Sequence, residues 1–374
     1  MKTKKLSEIS DIQYGYAFDS HYFTNDNKYP QLVRIRDIKR GFSETYYLGK
    51  YDEDYVVHYG DLLIGMDGNF NISRWKSEDA LLNQRVCKIA AKQDIIDEEY
   101  LQYALSRRLK HIEEKTAFVT VKHLSAKTLS NLKLEVPSQV EQIKIAQIIS
   151  KISKAINTKK DELRKLDELI KARFVEMFGD PVLNSNDYKL IKLSNLGTLS
   201  RGKSKHRPRN DPKLLGGPYP LIQTGDITNS GIFIKKYNNT YSKLGLKQSK
   251  MWPAGTLCIT IAANIAQTAI LSFDACFPDS VVGFIPKADI ITTTYLHYWF
   301  SFFQKILDAQ ASQVAQKNIN LKVLSNLDVA VPPITEQDKF LSFVQQVDKS
   351  KVAVQKSLEE TQTLFDSLMQ KYFG

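Results

Sequence analysis

The stretch LSNLKLEVPSQVEQ, Leu129 to Gln142, returns as LSNLDVAVPPITEQ, Leu324 to Gln337, 195 positions later. The same displacement holds from Gly60 onward. Gly60 falls on Gly255, Asn69 on Asn264, Ile95 and Ile96 on Ile290 and Ile291, and Tyr100, Leu101 and Tyr103 on Tyr295, Leu296 and Tyr298. Further along, Leu163, Leu169, Phe178 and Gly179 fall on Leu358, Leu364, Phe373 and Gly374. Nearer the start the displacement drifts, to 187 between the KLS phrases at Lys5 and Lys192 and to 190 between the YP phrases at Tyr29 and Tyr219. The copies therefore differ in loop length near their beginnings. A period this long marks a duplicated unit of domain plus following element, not a solenoid repeat.

Each copy opens with short β-rich runs separated by Gly, Asn and Asp turns: YPQLVRI, DLLIGM and RVCKIA in the first, YPLIQ, GTLCITI and SVVGFIP in the second. A helical segment follows, DEEYLQYALSRRLKHIEE in one and TTTYLHYWFSFFQKIL in the other, whose aromatics at helical spacing read as core. After Pro137 the pattern changes. Ser138 with Glu141 has capping-box spacing, and Thr335 with Asp338 is a looser counterpart. From there Gln142, Ile145, Ile149, Ile152, Ile156, Lys159, Leu163, Leu166, Ile170, Arg173 and Met177 step by alternating threes and fours. The second copy repeats the steps with Gln337, Phe340, Val344, Val347, Lys351, Val354, Leu358, Thr361, Phe365, Leu368 and Tyr372. Both are coiled-coil seams. Lys159 and Lys351 interrupt them, either as devices that fix alignment or as lysines snorkelling past the seam. FGDP, Phe178 to Pro181, ends the first helix with a glycine and a proline.

About 40 residues at 1.5 Å each make a rod of order 60 Å, too long to hide its stripe on one small domain. The two rods are expected to pair. The expected architecture is mixed α/β, with two similar α/β domains separated by a pair of long helices in an antiparallel coiled coil and a pseudo-two-fold internal repeat. The boundaries are 1–137 for the first domain, 138–179 for the central helix, 180–332 for the second domain and 333–374 for the C-terminal helix.

Composition limits the function. With 43% hydrophobic and 25% charged residues the chain is globular, and its net charge of +11 is what a surface meeting phosphates would carry. Cys87, Cys258 and Cys276 are odd in number and lack C-x-x-C spacing, so neither a disulfide framework nor a zinc site is expected. MKTKKLSEIS has no apolar signal core, and the most apolar run is interrupted by Asn264 and Gln267. A cytoplasmic protein without a membrane span is expected. Enzyme motifs are missing: there is no G-x-x-x-x-G-K-[ST] loop, no G-x-G-x-x-G turn and no H-E-x-x-H. VPPI at Val331 lacks the flanking residues of an adenine-methyltransferase loop, and Pro278-Asp279 lacks the acidic-x-Lys partner of a nuclease site.

What stands out is basic loop chemistry. RGKSKHRPRN packs Arg201, Lys203, Lys205, His206, Arg207 and Arg209 among Gly, Ser and Pro, a loop able to follow a phosphate path and send an arginine to guanine. Its alternative is a solvated loop. In the first copy Arg74, Trp75 and Lys76, with Gln84 and Arg85, supply similar groups, although Trp75 serves equally as a packing residue. Lys122 and His123 align with Lys317 and Asn318, a shared lysine beside a differing polar residue, suited to one phosphate contact beside one base contact.

The chain resembles the specificity subunits of type I restriction-modification systems. The likeness lies in LSNLKLEVPSQVEQIKIAQIISKI running into KKDELRKLDELIKARFVEMFGDP, in RGKSKHRPRNDPKLLGGPYPLIQTGDI, and in LLNQRV. It covers essentially the whole chain. The resemblance implies two target-recognition domains, each reading one part of a bipartite double-stranded DNA site. It also implies helices that act as spacer and as docking surface for two methyltransferase subunits, with restriction subunits joining through that core. Methyl transfer and S-adenosylmethionine would belong to the partner, with no cofactor and no metal on this chain. Two other readings remain: a self-contained methyltransferase or nuclease, and a coiled-coil scaffold without DNA binding.

Overall fold

A computed structural model describes residues 2–115, 123–261, 265–302 and 319–374. The chain divides into two compact units, Met1–Lys160 with Lys356–Gly374, and Asp161–Gln355. Both long helices, Gln139–Phe178 and Ile334–Phe373, contribute a part to each unit.

In the first unit a four-stranded antiparallel sheet has the order Ser10–Tyr14, Val86–Ala91, Leu62–Gly65, Ile72–Arg74. A second sheet has the order Phe23–Thr24, Tyr46–Tyr47, Gln31–Val33, Ala80–Leu82, Val56–Val57, and Gln31–Val33 runs parallel to Ala80–Leu82. Lys133–Val136 from the repeated phrase pairs antiparallel with Lys2–Lys5. The helix Glu98–Lys115 covers the first sheet by burying Tyr100, Leu101, Ala104, Leu105 and Leu109, all on one side at helical spacing.

The second unit repeats this plan. Its sheets are Gly197–Arg201, Val281–Pro286, Leu257–Thr260, Thr268–Leu271, Phe233–Ile234, and Asn239–Tyr241, Leu215–Leu221, Ala275–Cys276, Met251–Trp252. Asp328–Val331 pairs with Lys189–Lys192 as its counterpart does. The helix Thr293–Phe300 buries Tyr295, Leu296, Tyr298, Trp299 and Phe300.

The repeated phrase ends in glutamine for a physical reason. Gln142 and Gln337 are buried, and each amide makes the same three bonds. The Gln142 Oε1 accepts from the Asp97 N–H at 2.7 Å while its Nε2 donates to the carbonyls of Ile95 at 3.1 Å and Pro137 at 3.0 Å. The Gln337 Oε1 accepts from the Thr292 N–H at 2.8 Å and its Nε2 donates to Ile290 at 3.0 Å and Pro332 at 2.9 Å. The partners are 195 positions apart throughout. A side-chain amide offers both donors and an acceptor, so one residue ties the first turn of each long helix to the turn ahead of the domain helix. Tyr100 and Tyr295 add a matching bond, donating to the carbonyls of Glu135 and Ala330.

Within each unit the two long helices run antiparallel. In the first, Ile145 and Ile149 share a core with Phe365, Leu368, Met369 and Phe373, and the Lys159 ammonium donates to the Ser357 hydroxyl at 2.7 Å. In the second, Leu166, Ile170 and Phe174 share a core with Phe340, Val344 and Val347, and Lys351 meets the Asp167 carboxylate at 2.5 Å. The remaining seam residues, Ile152, Ile156, Leu163, Val354 and Leu358, are buried or half-buried. Both seam lysines thus reach a polar group on the facing helix.

The first helix begins as its spacing foresees, with the Glu141 carboxylate accepting from the Ser138 N–H and hydroxyl. The second departs from expectation. Its helix starts at Ile334, directly after Pro332 and Pro333, so Thr335 lies inside the first turn, and Glu336 turns to accept from the Tyr188 hydroxyl at 3.1 Å.

Candidate nucleic-acid interface

Three segments converge at one edge of each α/β domain. The first leaves the outer strand of the first sheet through a glycine, Gly15 or Gly202, whose N–H donates to Val86 or Val281. A Cβ would lie 2.0 Å from the Asn83 carbonyl oxygen at Gly15 and 2.3 Å from that of Phe277 at Gly202, so only glycine permits the crossing. The second is a tight turn closed by an aspartate: the Arg34 N–H donates to Asp37 at 3.1 Å, and the Gln223 N–H to Asp226 at 2.8 Å. The third follows the strand that pairs in parallel with the strand before that turn, and carries Asn83, Gln84 and Arg85 in one domain and Pro278, Asp279 and Ser280 in the other.

In the second domain the basic loop is the first of these segments. It is pinned, not loose. The Gln248 Oε1 accepts from the Lys205 and His206 N–H groups, and the Ser249 hydroxyl donates to the Lys203 carbonyl. Arg207 donates to the Ser204 and His206 carbonyls and, with Arg209, meets the Asp279 carboxylate. The His206 Nε2 lies 3.0 Å from Asp211, whose carboxyl is held below the ordinary range chiefly by the Lys213 N–H and secondarily by His206. Arg201, Lys203 and Lys205 stay exposed, with no side-chain partner among the described residues. A cleft of about 190 Å³ opens between Ser204, Arg209, Gln223, Thr224 and Ser280, where all three segments meet.

In the first domain Arg85 and His123 share the Asp67 carboxylate, the histidine through Nδ1 at 2.5 Å. Gln84 is exposed beside them. Arg74 is held within the domain, donating to the Gly60 carbonyl at 3.0 Å and pairing with Glu98 at 3.2 Å. Lys76 is exposed, and its N–H donates to the Gly41 carbonyl. Trp75 must be removed from the DNA-contacting set. It is 1% exposed in a cluster with Val33, Leu63 and Leu82, and its indole N–H donates to the Glu78 carbonyl at 2.8 Å, so both its apolar face and its donor are spent in the core. Lys122, Lys317 and Asn318 lie outside the described residues.

Two features of this edge escaped the sequence reading. Tyr16 is 52% exposed and packs against Phe18 and Tyr55, an aromatic surface where the second domain places its basic loop. VRIRDIKRGF sets Arg34, Arg36, Lys39 and Arg40 on the aspartate-closed turn, a density of cations as legible as that of RGKSKHRPRN. Among the described residues no three His, Cys, Asp or Glu side chains group as metal ligands, and no helix is long and apolar enough to cross a membrane.

The duplicated domain has a counterpart among known proteins. The model of the type I restriction modification DNA specificity domain matches residues 1–168 and again 185–361. The chain belongs to the type I restriction-modification specificity family. The EcoBI specificity subunit of Escherichia coli is a relative 30% identical over 98% of this chain and 84% of its own. The MjaVIII specificity subunit of Methanocaldococcus jannaschii is 24% identical over 79% of this chain and 74% of its own. In fold, this family member resembles the S subunit of the M. genitalium type I system, with a TM-score of 0.59 at 15% identity, covering all of this chain and 96% of that one. A structure described under complex assembly and conformational transition of the type I R-M system gives a TM-score of 0.56 at 16% identity over all of this chain and 97% of that one. The family's two-domain, two-helix plan is the one expected from the 195-residue repeat.

Proposed function

We propose that this chain is the DNA-specificity subunit of a type I restriction-modification system, reading a bipartite double-stranded site with one α/β domain per half. The observation that carries the reading is the duplicated three-segment edge, which bears exposed cations in both domains but different residues in each. Phosphate contacts give affinity and differing loops give two different half-sites. The chain is non-catalytic in this reading. Methyl transfer from S-adenosylmethionine belongs to methyltransferase partners, and restriction subunits join through them, in the cytoplasm.

The helix surfaces fit two such partners. Leu169 and Leu364, 195 positions apart, are both exposed although large and apolar, at 48% and 51%. Equivalent apolar positions on both helices offer two comparable docking points. The domain limits 1–137 and 180–332, with 138–179 and 333–374 as spacer helices, follow from the same reading.

The decisive experiment assembles the chain with its methyltransferase and maps methylated bases and DNA affinity against salt. The expected result is methylation at a split site, binding that weakens steeply with salt, and two methyltransferases per chain by native mass. Methyl transfer by the chain alone would establish the single-chain enzyme instead, and an assembly without DNA affinity the scaffold.

A further inference from the structure

We propose that the Arg34–Arg40 turn grips the phosphate backbone of the half-site met by the first domain, with Arg36 making the contact. This rests on the DNA-specificity reading and assigns part of the surface that reading requires. The turn begins where the strand Gln31–Val33 ends, and the parallel register of Val33 with Leu82 sets Arg34 beside Asn83, at the loop that carries Gln84 and Arg85. It is therefore part of the three-segment edge.

Asp37 organises the turn. Its carboxylate is fully buried, and Oδ2 accepts from the Arg34 N–H at 3.1 Å, the Arg34 Nε at 3.4 Å and the Ser43 hydroxyl at 3.1 Å. Oδ1 accepts no hydrogen bond and has the guanidiniums of Arg36 at 3.9 Å and Arg40 at 3.8 Å as neighbours. Arg40 is occupied further, pairing with Glu44 at 2.9 Å and lying over the Phe42 ring at 4.4 Å. Lys76 reaches the same place, its stem lying against Gly41. Three guanidiniums, those of Arg34, Arg36 and Arg40, thus stand about the carboxylates of Asp37 and Glu44, with Lys76 beside the turn.

Arg36 is the group left over. Its side chain is 66% exposed and its approach to Asp37 is longer than a hydrogen bond, so the guanidinium makes no hydrogen bond among the described residues while the field of Asp37 orients the group. The second domain has Gly225 at this place, with open space around it, and carries its cations on the Arg201–Arg209 loop. Each domain thus places its cationic segment on a different member of the same edge. A clustered surplus of charge in which Arg36 has no bonded acceptor among the described residues suits phosphate oxygens, which carry charge at every step along the duplex.

The test uses the full chain assembled with its methyltransferase and a duplex bearing the methylated site, with affinity measured across a salt series. Arg36→Gln should lower affinity several-fold on specific and unrelated duplexes alike and reduce the slope of log affinity against log salt by about 1. Lys133→Gln, the same charge change on the separate two-stranded sheet, should leave the slope unaltered. Unchanged affinity and slope in Arg36→Gln, beside a salt-dependent parent, would overturn this inference and leave the DNA-specificity reading standing. Loss confined to the specific duplex, with one base position relaxed, would make Arg36 a base contact and overturn the phosphate assignment. An equal effect of Lys133→Gln would reduce the turn to general charge. If the unsubstituted assembly bound no DNA, both readings would fall.

Discussion

Phe373, at the end of the second long helix, lies against Tyr100 of the first domain with ring centroids 5.2 Å apart. Its counterpart Phe178, at the end of the first long helix, lies 5.0 Å from Tyr295 of the second domain. Each domain therefore packs on the beginning of the helix that follows it and on the end of the other helix. The core of the first unit is completed by a segment remote in sequence, while that of the second takes in the helix end that directly precedes its domain.

The buried glutamines should be among the most sensitive positions in the chain. Gln142→Ala leaves one N–H and two carbonyls without their side-chain partner, and a buried unmet polar group costs about 1–3 kcal/mol. Gln337→Ala should destabilise by a similar amount. Thermal unfolding of both variants checks the equivalence; an effect within error of the parent would show the bonds to be replaceable by water.

The exposed loop lysines should act through charge alone. Lys203→Ala and Lys205→Ala should each lower the salt slope of DNA binding by about 1 without altering which bases are methylated. Asp279→Asn should act differently, because it releases Arg207 and Arg209 from their carboxylate and loosens the loop. A changed methylation pattern in either lysine variant would contradict this division.

Burial gives His297 a pH signature. Its imidazole is half-enclosed beside the Thr268 hydroxyl at 3.0 Å, and desolvation, aided by the positive charges of Lys351 and Lys171, pushes its pKa down to about 4. The unfolded chain takes up this proton near pH 6.5, the folded one only near pH 4. Unfolding therefore binds a proton throughout that window, and the stability contributed above pH 6.5 is lost progressively as pH falls toward 4. His297→Gln should flatten that part of the melting-temperature profile. An unchanged profile would mean that the drop comes from other groups.

Spacing and base choice should be separable. Deleting Ile152–Thr158 together with Val347–Ala353 removes one heptad from each helix, shortening each by about 10 Å while keeping the seam in step. Methylation mapping should then find the same two base clusters at a changed spacing, or no methylation at all. Different bases at the original spacing would show that the helices are not the spacer.

The plan of the molecule was legible because it is written twice. A helix seam and a repeated phrase state their geometry through periodicity, and the seam residues from Ile145 to Leu368 are buried or half-buried. The interface was legible only in part, because a loop has no period. Arg207 and Arg209 look in sequence like free cations but are spent partly on Asp279, 70 or more residues away. Trp75 looked equally suited to surface or core, and the strand pairing of Leu62 with Arg74 turned it inward. The cations of Arg34 to Arg40 were overlooked because they stand within a β-rich run instead of a Gly- and Pro-rich one.

The contact between Phe373 and Tyr100 also sets a timetable. Leu134 and Tyr100 are made early, but Met369 and Phe373, which share their core, are translated roughly 240 codons after Leu134. At about 5–20 residues per second that is an interval of roughly 12–50 seconds, during which the first domain exists on the ribosome with an apolar face uncovered. The helix beginning at Gln139 is present from early on, but its partner strand of the coil is not. Synthesis thus leaves the first domain waiting for the turns that carry Met369 and Phe373, and chaperone demand should peak in that interval and fall once they have docked.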